Sequence, residues 1–141
     1  MSLESAIQSL KRGEFVLLYD SAGRENEIDM VVAAEFATPE HVARMRQHAG
    51  GLLCLAVDDS FGKNLGLRYM HDILSDNFDP QSKDMIMGLA PYGDHPTFSI
   101  SINHYQTYTG ITDRDRALTI SEMAKLHKVC LLYTSPSPRD S

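Results

Sequence analysis

Apolar residues recur at helical spacing in two segments near the start of the chain. The first segment runs from Leu3 to Leu10, follows Ser2 as a suitable N-cap, and ends at Gly13. The second segment begins at Thr38-Pro39-Glu40, which combines an N-cap, a proline at the first helical position and an acid in the first turn. Gly50-Gly51 ends this second segment. The pattern therefore predicts two amphipathic helices.

Four other apolar segments have the composition and spacing of β-strands. Residues 14–19 and 30–34 are compact apolar runs on either side of the polar stretch 20–27, and they predict a hairpin with a long loop. Residues 52–57 form another apolar run and predict a buried strand. Residues 97–103 alternate strictly between apolar and polar side chains, which predicts a half-buried strand.

The remaining stretches are less regular. Asp58-Asp59 predicts a capped short helix, and residues 67–95, which contain several prolines and glycines, predict a long excursion with one helical turn. Thr119-Ile-Ser-Glu122 matches a capping box and predicts the start of a helix. That helical pattern stops near Val129. Residues 134–141 contain two Ser-Pro pairs and predict a disordered tail.

The composition limits the classes of protein that the chain can belong to. Its 141 residues are 43% hydrophobic, which is enough for one domain with a core. The net charge of -6 counts against a nucleic-acid module, and no apolar run approaches membrane-spanning length. The N-terminus has no secretory pattern, and Cys54 and Cys130 have no metal-type spacing. A cytoplasmic protein is therefore predicted.

The polar loop contains the first candidate site. Glu25, Glu27 and Asp29 lie two residues apart, so in an extended stretch their carboxylates would share one face. Crowded carboxylates repel one another, and a hard cation such as Mg²⁺ relieves that repulsion. Arg24 beside them can hold a phosphate or carboxylate oxygen. The alternative is a solvated acidic hairpin loop, which the pattern by itself favours slightly.

A second candidate is the segment from Thr109 to Arg116. It follows a predicted strand, precedes a predicted helix, and contains hydroxyl residues, a glycine and two arginines. That composition suits an oxyanion or phosphate cradle. The alternative is an ordinary capped connection, and the pattern by itself favours it because loop arginines are usually solvated.

The histidines and the first cysteine are weaker candidates. His41 and His48 lie two helical turns apart and are predicted at the surface, whereas His104 is the best placed of the six histidines. A structural role is still the first prediction for His104. Cys54 lies in an apolar run and is predicted first as a small core residue and second as a thiol facing a site.

Taken together, the motifs resemble those of 3,4-dihydroxy-2-butanone 4-phosphate synthases, most of all the archaeal form. Because several motifs occur in the order seen in that family, the resemblance reverses the preference for a plain acidic loop. It covers residues 4–128, so we predict a family domain over 1–128 and a disordered or artefactual tail over 129–141. The matching segments are Arg24–Met30, Thr38–His41, Gly50–Cys54, Phe98–Asn103, Thr107–Asp113 and Asp115-Arg116.

The resemblance implies a fold and an activity. The implied fold is α+β, a mixed β-sheet with flanking helices, present here in incomplete form. The implied enzyme is a cytoplasmic homodimer and a Mg²⁺- or Mn²⁺-dependent carbon–carbon lyase with two ions per site. It converts D-ribulose 5-phosphate to formate and 3,4-dihydroxy-2-butanone 4-phosphate in riboflavin biosynthesis. A metal ion suits this reaction because it stabilises the enediolate that forms when a proton leaves the carbon beside the carbonyl.

The resemblance also implies roles for individual residues. Glu25 corresponds to a metal ligand that also contacts the substrate, Asp29 contacts the substrate and takes part in catalysis, and Glu27 assists the metal or proton transfer. The other positions expected near the substrate are Arg24, Cys54, Thr109, Thr112 and Arg116. Cys54 is also expected to take part in catalysis.

The chain departs from the family pattern in its second half. The family carries later Gly-His segments, which supply a histidine metal ligand, and a late catalytic glutamate, but no Gly-His pair occurs in this sequence. The chain by itself is therefore expected to have little synthase activity. The alternatives are a non-catalytic truncated fragment and a nucleotide- or RNA-binding module of related architecture, which the acidic charge disfavours.

Overall fold

A computed structural model of the chain describes residues 2–86 and 97–134. These residues fall into two units: the first joins the chain up to Ala56 with the chain from Asn103 onward, and the second runs from Val57 to Ile102. The elements in chain order are α1 (Leu3–Lys11), β1 (Val16–Tyr19), β2 (Ile28–Val31), a 3-10 helix (Ala34–Phe36), α2 (Pro39–His48), α3 (Asp59–Asn64), α4 (Met70–Ser75), α5 (Pro80–Ile86) and α6 (Asp113–Thr134).

The first helix and the hairpin follow the predicted pattern closely. The Ser2 hydroxyl accepts the N–H of Ser5 at 3.1 Å and caps α1. Strands β1 and β2 pair antiparallel, with Tyr19 opposite Ile28. The second strand starts at Ile28 and not at residue 30 as predicted, because the pairing continues up to the turn. This mixture of helices and strands confirms the α+β class, although within the described residues the sheet has only these two strands.

Helix α2 begins where predicted, but the histidine in its first turn is not a surface residue. The Thr38 hydroxyl accepts the N–H of His41, and Nδ1 of His41 accepts the N–H of Thr38 at 3.1 Å, which completes a capping box. The other ring nitrogen, Nε2, lies 2.8 Å from the Gly13 carbonyl oxygen. His41 is half-buried against the ring of Phe15 and joins α2 to the start of the hairpin. His48 is exposed, as predicted.

Helix α6 is longer than predicted at both ends. It begins at Asp113, six residues before the predicted capping box, and it continues to Thr134, past the predicted end near Val129. Thr119 is buried within the helix, where its hydroxyl accepts the N–H of His104 and donates to the Asp115 carbonyl. The capping-box prediction was wrong because the helix already begins at Asp113, and the Thr119 hydroxyl binds the N–H of His104 instead of capping a helix. The predicted tail from residue 135 onward lies outside the described residues.

The first unit packs α6 against α2 and the 3-10 helix. Its buried apolar residues are Val16, Val42 and Ala117, each 4% exposed or less. Two ion pairs join α6 to its neighbours: Arg46 with Asp113, and Lys128 with Glu35 at 2.6 Å. Since both pairs connect segments far apart in sequence, they orient the helices, whereas burial of the apolar residues supplies the stabilisation.

Two of the four predicted strands do not form strands. Residues 52–57 and 97–103 belong to no helix or strand and pair with no strand within the described chain. Phe98 and Ile100, predicted on the buried face, are 49% and 48% exposed. A strand needs a neighbour for its N–H and C=O groups, and alternation of side chains does not by itself provide one. Cys54 is exposed, so its prediction as a core residue was wrong.

The second unit contains the three short helices α3 to α5. Asp58 caps α3 by accepting the N–H of Phe61 at 2.7 Å, as predicted for this pair of acids, and Phe61 is buried. Residues 67–95 were predicted to contain one helical turn, but they contain two helices, α4 and α5. Residues 87–95 of that stretch lie outside the described residues. Within residues 2–86 and 97–134, no helix is long and apolar enough to cross a membrane.

Candidate metal and substrate site

The acidic loop is organised by its own first residue. The carboxylate of Asp20 accepts the N–H of Ser21 at 2.8 Å and the N–H of Glu25 at 3.0 Å. Asn26 has a φ of 53°, in the left-handed region that asparagine tolerates, and its side-chain oxygen accepts the Tyr19 hydroxyl at 2.8 Å. The loop is therefore a structured turn and not an extended stretch.

The carboxylates of this loop nevertheless lie close together. The predicted extended alternation from Glu25 to Asp29 was wrong, since the left-handed Asn26 interrupts it between Glu25 and Glu27. A hydrogen bond to Glu25 raises the pKa of Glu27, and the negative charges of Glu25, Asp29 and Asp20 raise it further. The fold thus brings the predicted acids together by a different geometry, in which the negative charge of each disfavours ionisation of Glu27.

Asp20 belongs to this cluster, although the sequence motif did not point to it. The N–H groups of Glu25 and Ser21, in that order, lower the pKa of Asp20, and the charge of Arg24 lowers it further. Its role is to fix the backbone of the loop. An Asp followed by Ser, Ala and Gly is a turn signal, and that signal would have identified it.

The donors in this loop suit a hard divalent cation. Carboxylate oxygens are the ligands that Mg²⁺ takes in proteins, and their mutual repulsion favours a cation between them. Within residues 2–86 and 97–134, however, no group of three or more potential ligands has the arrangement to hold a metal ion by itself. Metal binding by Glu25, with the help of Glu27, therefore stays a prediction.

The loop before α6 is built around Asp115. A single oxygen of this carboxylate, Oδ2, accepts the N–H groups of Tyr108, Thr109 and Gly110 at 3.1, 3.1 and 3.0 Å. These hydrogen bonds, the one from Gly110 first, lower the pKa of Asp115. The backbone N–H groups of residues 108–110 are thus bound to a carboxylate of the protein, next to the side chains that were predicted to form an oxyanion cradle.

The predicted substrate residues of this loop differ in their surroundings. Thr109 and Thr112 are exposed, and the Thr112 hydroxyl accepts the N–H of Asp115 at 3.1 Å as a helix cap. Arg116 is half-buried in the first turn of α6, and its charge contributes, after Arg46, to lowering the pKa of Asp113. Arg46, which the sequence reasoning missed, binds Asp113 through two hydrogen bonds of 3.1 and 2.8 Å.

Gly110 holds this loop in a conformation that other residues rarely adopt. Its φ is 82°, and a Cβ added there would lie 2.6 Å from Cγ and 2.8 Å from Nδ2 of Asn103. Glycine is therefore required at this position for two separate reasons: the left-handed backbone and the close approach of a side chain.

Cys54 lies apart from the polar candidates, at an apolar cavity of about 360 Å³. The cavity is lined by β2 and the residues after it, by α2, by residues 53–56 and by Ile120. Among the described residues that line it, none comes from the acidic loop or from the loop before α6. The cavity thus groups Cys54 with apolar residues and with His41.

Comparison with known proteins decides which family these loops belong to. A sequence profile of the 3,4-dihydroxy-2-butanone 4-phosphate synthase family matches residues 4–136. The chain belongs to this synthase family. It is 44% identical over 127 residues to a 3,4-dihydroxy-2-butanone 4-phosphate synthase of Methanothermobacter thermautotrophicus, covering 86% of this chain and 54% of that relative. A synthase of Methanosarcina acetivorans is 37% identical, with 52% of its length covered.

Solved structures agree with this family membership. A 3,4-dihydroxy-2-butanone 4-phosphate synthase in complex with two magnesium ions aligns with a TM-score of 0.66 and 34% identity, covering 88% of this chain and 51% of the other. A cation-free synthase structure aligns with a TM-score of 0.67 and 30% identity. The chain therefore spans about half the length of the synthases it matches.

The family match confirms the resemblance, while the roles of single residues stay predictions. Arg24, Glu25, Glu27 and Asp29 lie in or beside one turn of the synthase chain, and Thr109, Thr112 and Arg116 lie at the start of α6. The match also extends past residue 128, where a domain boundary was predicted, and that boundary stays a prediction as well.

Proposed function

We propose that this chain supplies part of the active site for the conversion of D-ribulose 5-phosphate to formate and 3,4-dihydroxy-2-butanone 4-phosphate. Its relatives include synthases named for this product and the riboflavin biosynthesis protein RibBA of Bacillus cereus, which is 35% identical over 121 residues. The reaction belongs to the carbon–carbon lyases, and the implied pathway is riboflavin biosynthesis. The family match disfavours the alternative of an RNA-binding module.

The crowding of carboxylates in the acidic loop is the observation that carries the proposal. The contact with Glu25 raises the pKa of Glu27, and the negative charges of Glu25, Asp29 and Asp20 raise it further. Such an arrangement is costly unless a proton or a cation neutralises it, and the cost is repaid when the loop has a ligand to bind. The synthase structure that holds two magnesium ions supports Mg²⁺ as that ligand.

The chemistry required by this reaction suits the side chains of the two loops. In our proposal Glu25 and Glu27 would hold Mg²⁺ or Mn²⁺, with two ions per site in a full-length enzyme. The bound cation supplies Lewis acidity that stabilises negative charge developing on the sugar. Asp29 and Glu27 move protons between carbon and oxygen, and Arg24 positions the sugar.

Four further residues are assigned to the same substrate. Thr109 and Thr112 present exposed hydroxyls at the start of α6, where a sugar or phosphate oxygen can be bound, and Arg116 adds positive charge there. Cys54 is exposed and retains its proposed place near the substrate, although most residues that line its cavity are apolar.

The proposal is tested with a protein in which this chain is continued by the remaining part of the Methanothermobacter relative. We expect ribulose 5-phosphate and Mg²⁺ to release formate, and Glu25→Gln to lower the rate by at least about 100-fold. Glu4→Gln, a change of the same chemistry on α1, is the control and should leave the rate unaltered. A folded protein that releases no formate, or equal rates for both variants, would contradict the proposal.

Two other parts of the proposal have their own measurements. The 141-residue chain by itself is expected to show little synthase activity in the same formate assay, and normal turnover would refute that expectation. The continued protein is expected to be a cytoplasmic homodimer. Light scattering after size-exclusion chromatography will report a dimer mass if this is correct and a monomer mass if it is not.

A further inference from the structure

The side chain of Asp115 holds three consecutive peptide groups of the loop before α6. Asp115 is the third residue of α6, and its Oδ2 accepts the N–H groups of Tyr108, Thr109 and Gly110 at 3.1, 3.1 and 3.0 Å. Hydrogen bonds to an ionised acceptor are stronger than those between neutral groups. Because all three N–H groups point to one oxygen atom, Asp115 fixes the backbone on both sides of Thr109.

The main chain of Asp115 is itself held by two threonines. Its N–H donates to the Thr112 hydroxyl at 3.1 Å, and its carbonyl oxygen accepts the Thr119 hydroxyl at 3.1 Å. The Thr119 oxygen in turn accepts the N–H of His104 at 3.1 Å. Asp115 therefore extends from a fixed point of the helix, and the position of its carboxylate determines the position of the loop.

The backbone of Thr109 is bound to Asp115, whereas its side chain is exposed. The hydroxyl oxygen of Thr109 accepts the N–H of Ile111 at 3.4 Å. A hydroxyl that accepts a hydrogen bond through its oxygen can still donate its own hydrogen. The loop thus presents an exposed O–H donor whose backbone is held by Asp115.

We propose that Asp115 is a positioning residue of the synthase reaction, which holds the Thr109 hydroxyl in the orientation that binds an oxygen atom of the phosphosugar substrate. Asp115 acts through Thr109 and does not touch the substrate, because its Oδ2 is already occupied by three N–H groups. The inference rests on the proposed function, which assigns Thr109 to the substrate. A donor that is held in place before binding loses little conformational freedom when the substrate binds, so loss of this support weakens its contact.

Coupling between Asp115 and Thr109 distinguishes positioning from general support of the fold. In the protein continued by the remaining part of the Methanothermobacter relative, kcat/KM for ribulose 5-phosphate is measured for Asp115→Asn, Thr109→Val and the double variant. We expect each single variant to lower kcat/KM by at least about fivefold. In the Thr109→Val background, Asp115→Asn should lower it further by less than about twofold, since the hydroxyl on which it acts is gone. Single effects that multiply in the double variant would overturn the inference.

Two further variants control this measurement. Thr109→Ser keeps the hydroxyl, so in that background Asp115→Asn should again lower kcat/KM by at least about fivefold. Phe61→Leu is the control for lost stability, because Phe61 is buried, at 3% exposure, in the second unit. We expect Phe61→Leu to lower Tm and to leave kcat/KM within about twofold. If it lowers kcat/KM as much as Asp115→Asn does, the loss reflects stability and the inference is wrong.

Hydrogen exchange in the 141-residue chain reports the hydrogen bonds of Asp115 without the reaction. We expect Asp115→Asn to speed amide exchange at residues 108–110 by at least about tenfold. Asp59→Asn, which removes an exposed partner of Lys63, should leave that exchange unaltered. Unaltered exchange in Asp115→Asn would overturn the inference. If Asp115→Asn does not fold, Asp115→Glu replaces it in both experiments with the same expected results, because its longer side chain displaces the accepting oxygen.

Formate release separates the failure of this inference from the failure of the proposed function. An unsubstituted continued protein that releases no formate contradicts the proposed function and, with it, the inference that rests on it. Formate release together with single effects that multiply leaves the proposed function standing and overturns the positioning role of Asp115 alone.

Discussion

The acidic loop of the hairpin and the loop before α6 each contain an aspartate that binds backbone N–H groups. The two loops differ in that only the acidic loop also contains a carboxylate whose pKa is raised by neighbouring carboxylates. In the loop before α6, Asp115 accepts three N–H groups and has a lowered pKa. In the acidic loop, Asp20 likewise accepts two N–H groups and has a lowered pKa, but Glu27 lies beside Glu25 and has a raised pKa. The pKa of Asp115 is lowered because N–H groups bind its carboxylate, whereas the pKa of Glu27 is raised because other carboxylates surround it.

The largest expected effect comes from altering the backbone of the ordered loop. Gly110→Ala introduces a Cβ into the side chain of Asn103 at a φ of 82°, so we expect a loss of roughly 2 kcal/mol in the free energy of unfolding. Chemical denaturation monitored by circular dichroism gives the value. Gly50→Ala is the control, since a Cβ there meets no atom within 4 Å. Equal values for the two variants would show that the loop is not held tightly.

A smaller but still clear effect is expected from Asp115→Asn. The variant keeps the size of the side chain but loses the charge that binds three N–H groups, so Tm at pH 7 should fall by about 5 °C. The folded pKa of Asp115 is lowered, so its contribution is present above the unfolded value and is lost as pH falls through the folded one. The difference from the unsubstituted chain should therefore shrink in acid.

The control for this prediction is Asp59→Asn, which removes an exposed partner of Lys63 and should alter Tm by less than about 1 °C. A Tm difference for Asp115→Asn that is the same at pH 7 and at pH 3 would show that the charge does not hold the loop.

Binding of divalent metal distinguishes the two loops most directly. Glu25→Gln and Glu27→Gln each remove a carboxylate from the proposed shell, and we expect each to weaken Mg²⁺ or Mn²⁺ binding to the chain by at least about tenfold. Isothermal titration calorimetry measures the affinity. Glu122→Gln, on α6, should leave it unaltered. If Glu122→Gln weakened binding as much as Glu25→Gln, the metal would not be specific to the acidic loop.

The smallest expected effect is a gain of stability in the absence of metal. Since Glu27 has a raised pKa in the folded chain, its ionised form is disfavoured there, and stability is lost as pH rises through that folded value. Glu27→Gln should therefore raise Tm by about 1–2 °C at pH 7 in chelator-treated buffer. The gain should shrink as pH falls, because protonation of Glu27 removes the repulsion. A loss of stability at pH 7 would mean that the carboxylates do not repel one another.

Local signals in the sequence were enough to predict the features that depend only on residues close together in the chain. Ser2 and Thr38 cap α1 and α2 as predicted, and Asp58 caps α3, because each cap depends on residues within three positions of it. The acidic loop was also located correctly, since a polar stretch between two apolar runs is a short-range signal. Its internal geometry was not, because the left-handed Asn26 interrupts the assumed alternation.

Predictions failed where a residue takes its partner from far along the chain. Thr119 looked like a cap but is buried in α6 with His104 as a partner, and Cys54 looked like a core residue but is exposed. Residues 97–103 alternate as a strand does, yet they form none within the described chain. In each case the outcome depends on whether a contact forms with residues distant in sequence, and a local sequence pattern does not show this.

The sequence by itself determined the family, the starts of α1, α2 and α3 and the position of the carboxylates, because these depend on residue types in a fixed order and on local capping. Only the tertiary structure decided how the carboxylates meet, which N–H groups Asp115 occupies and which apolar residues remain exposed. The physical reason is that charge crowding and burial depend on distances through space. Those distances are set by the packing of α2, α6 and the hairpin, and spacing along the chain does not record them.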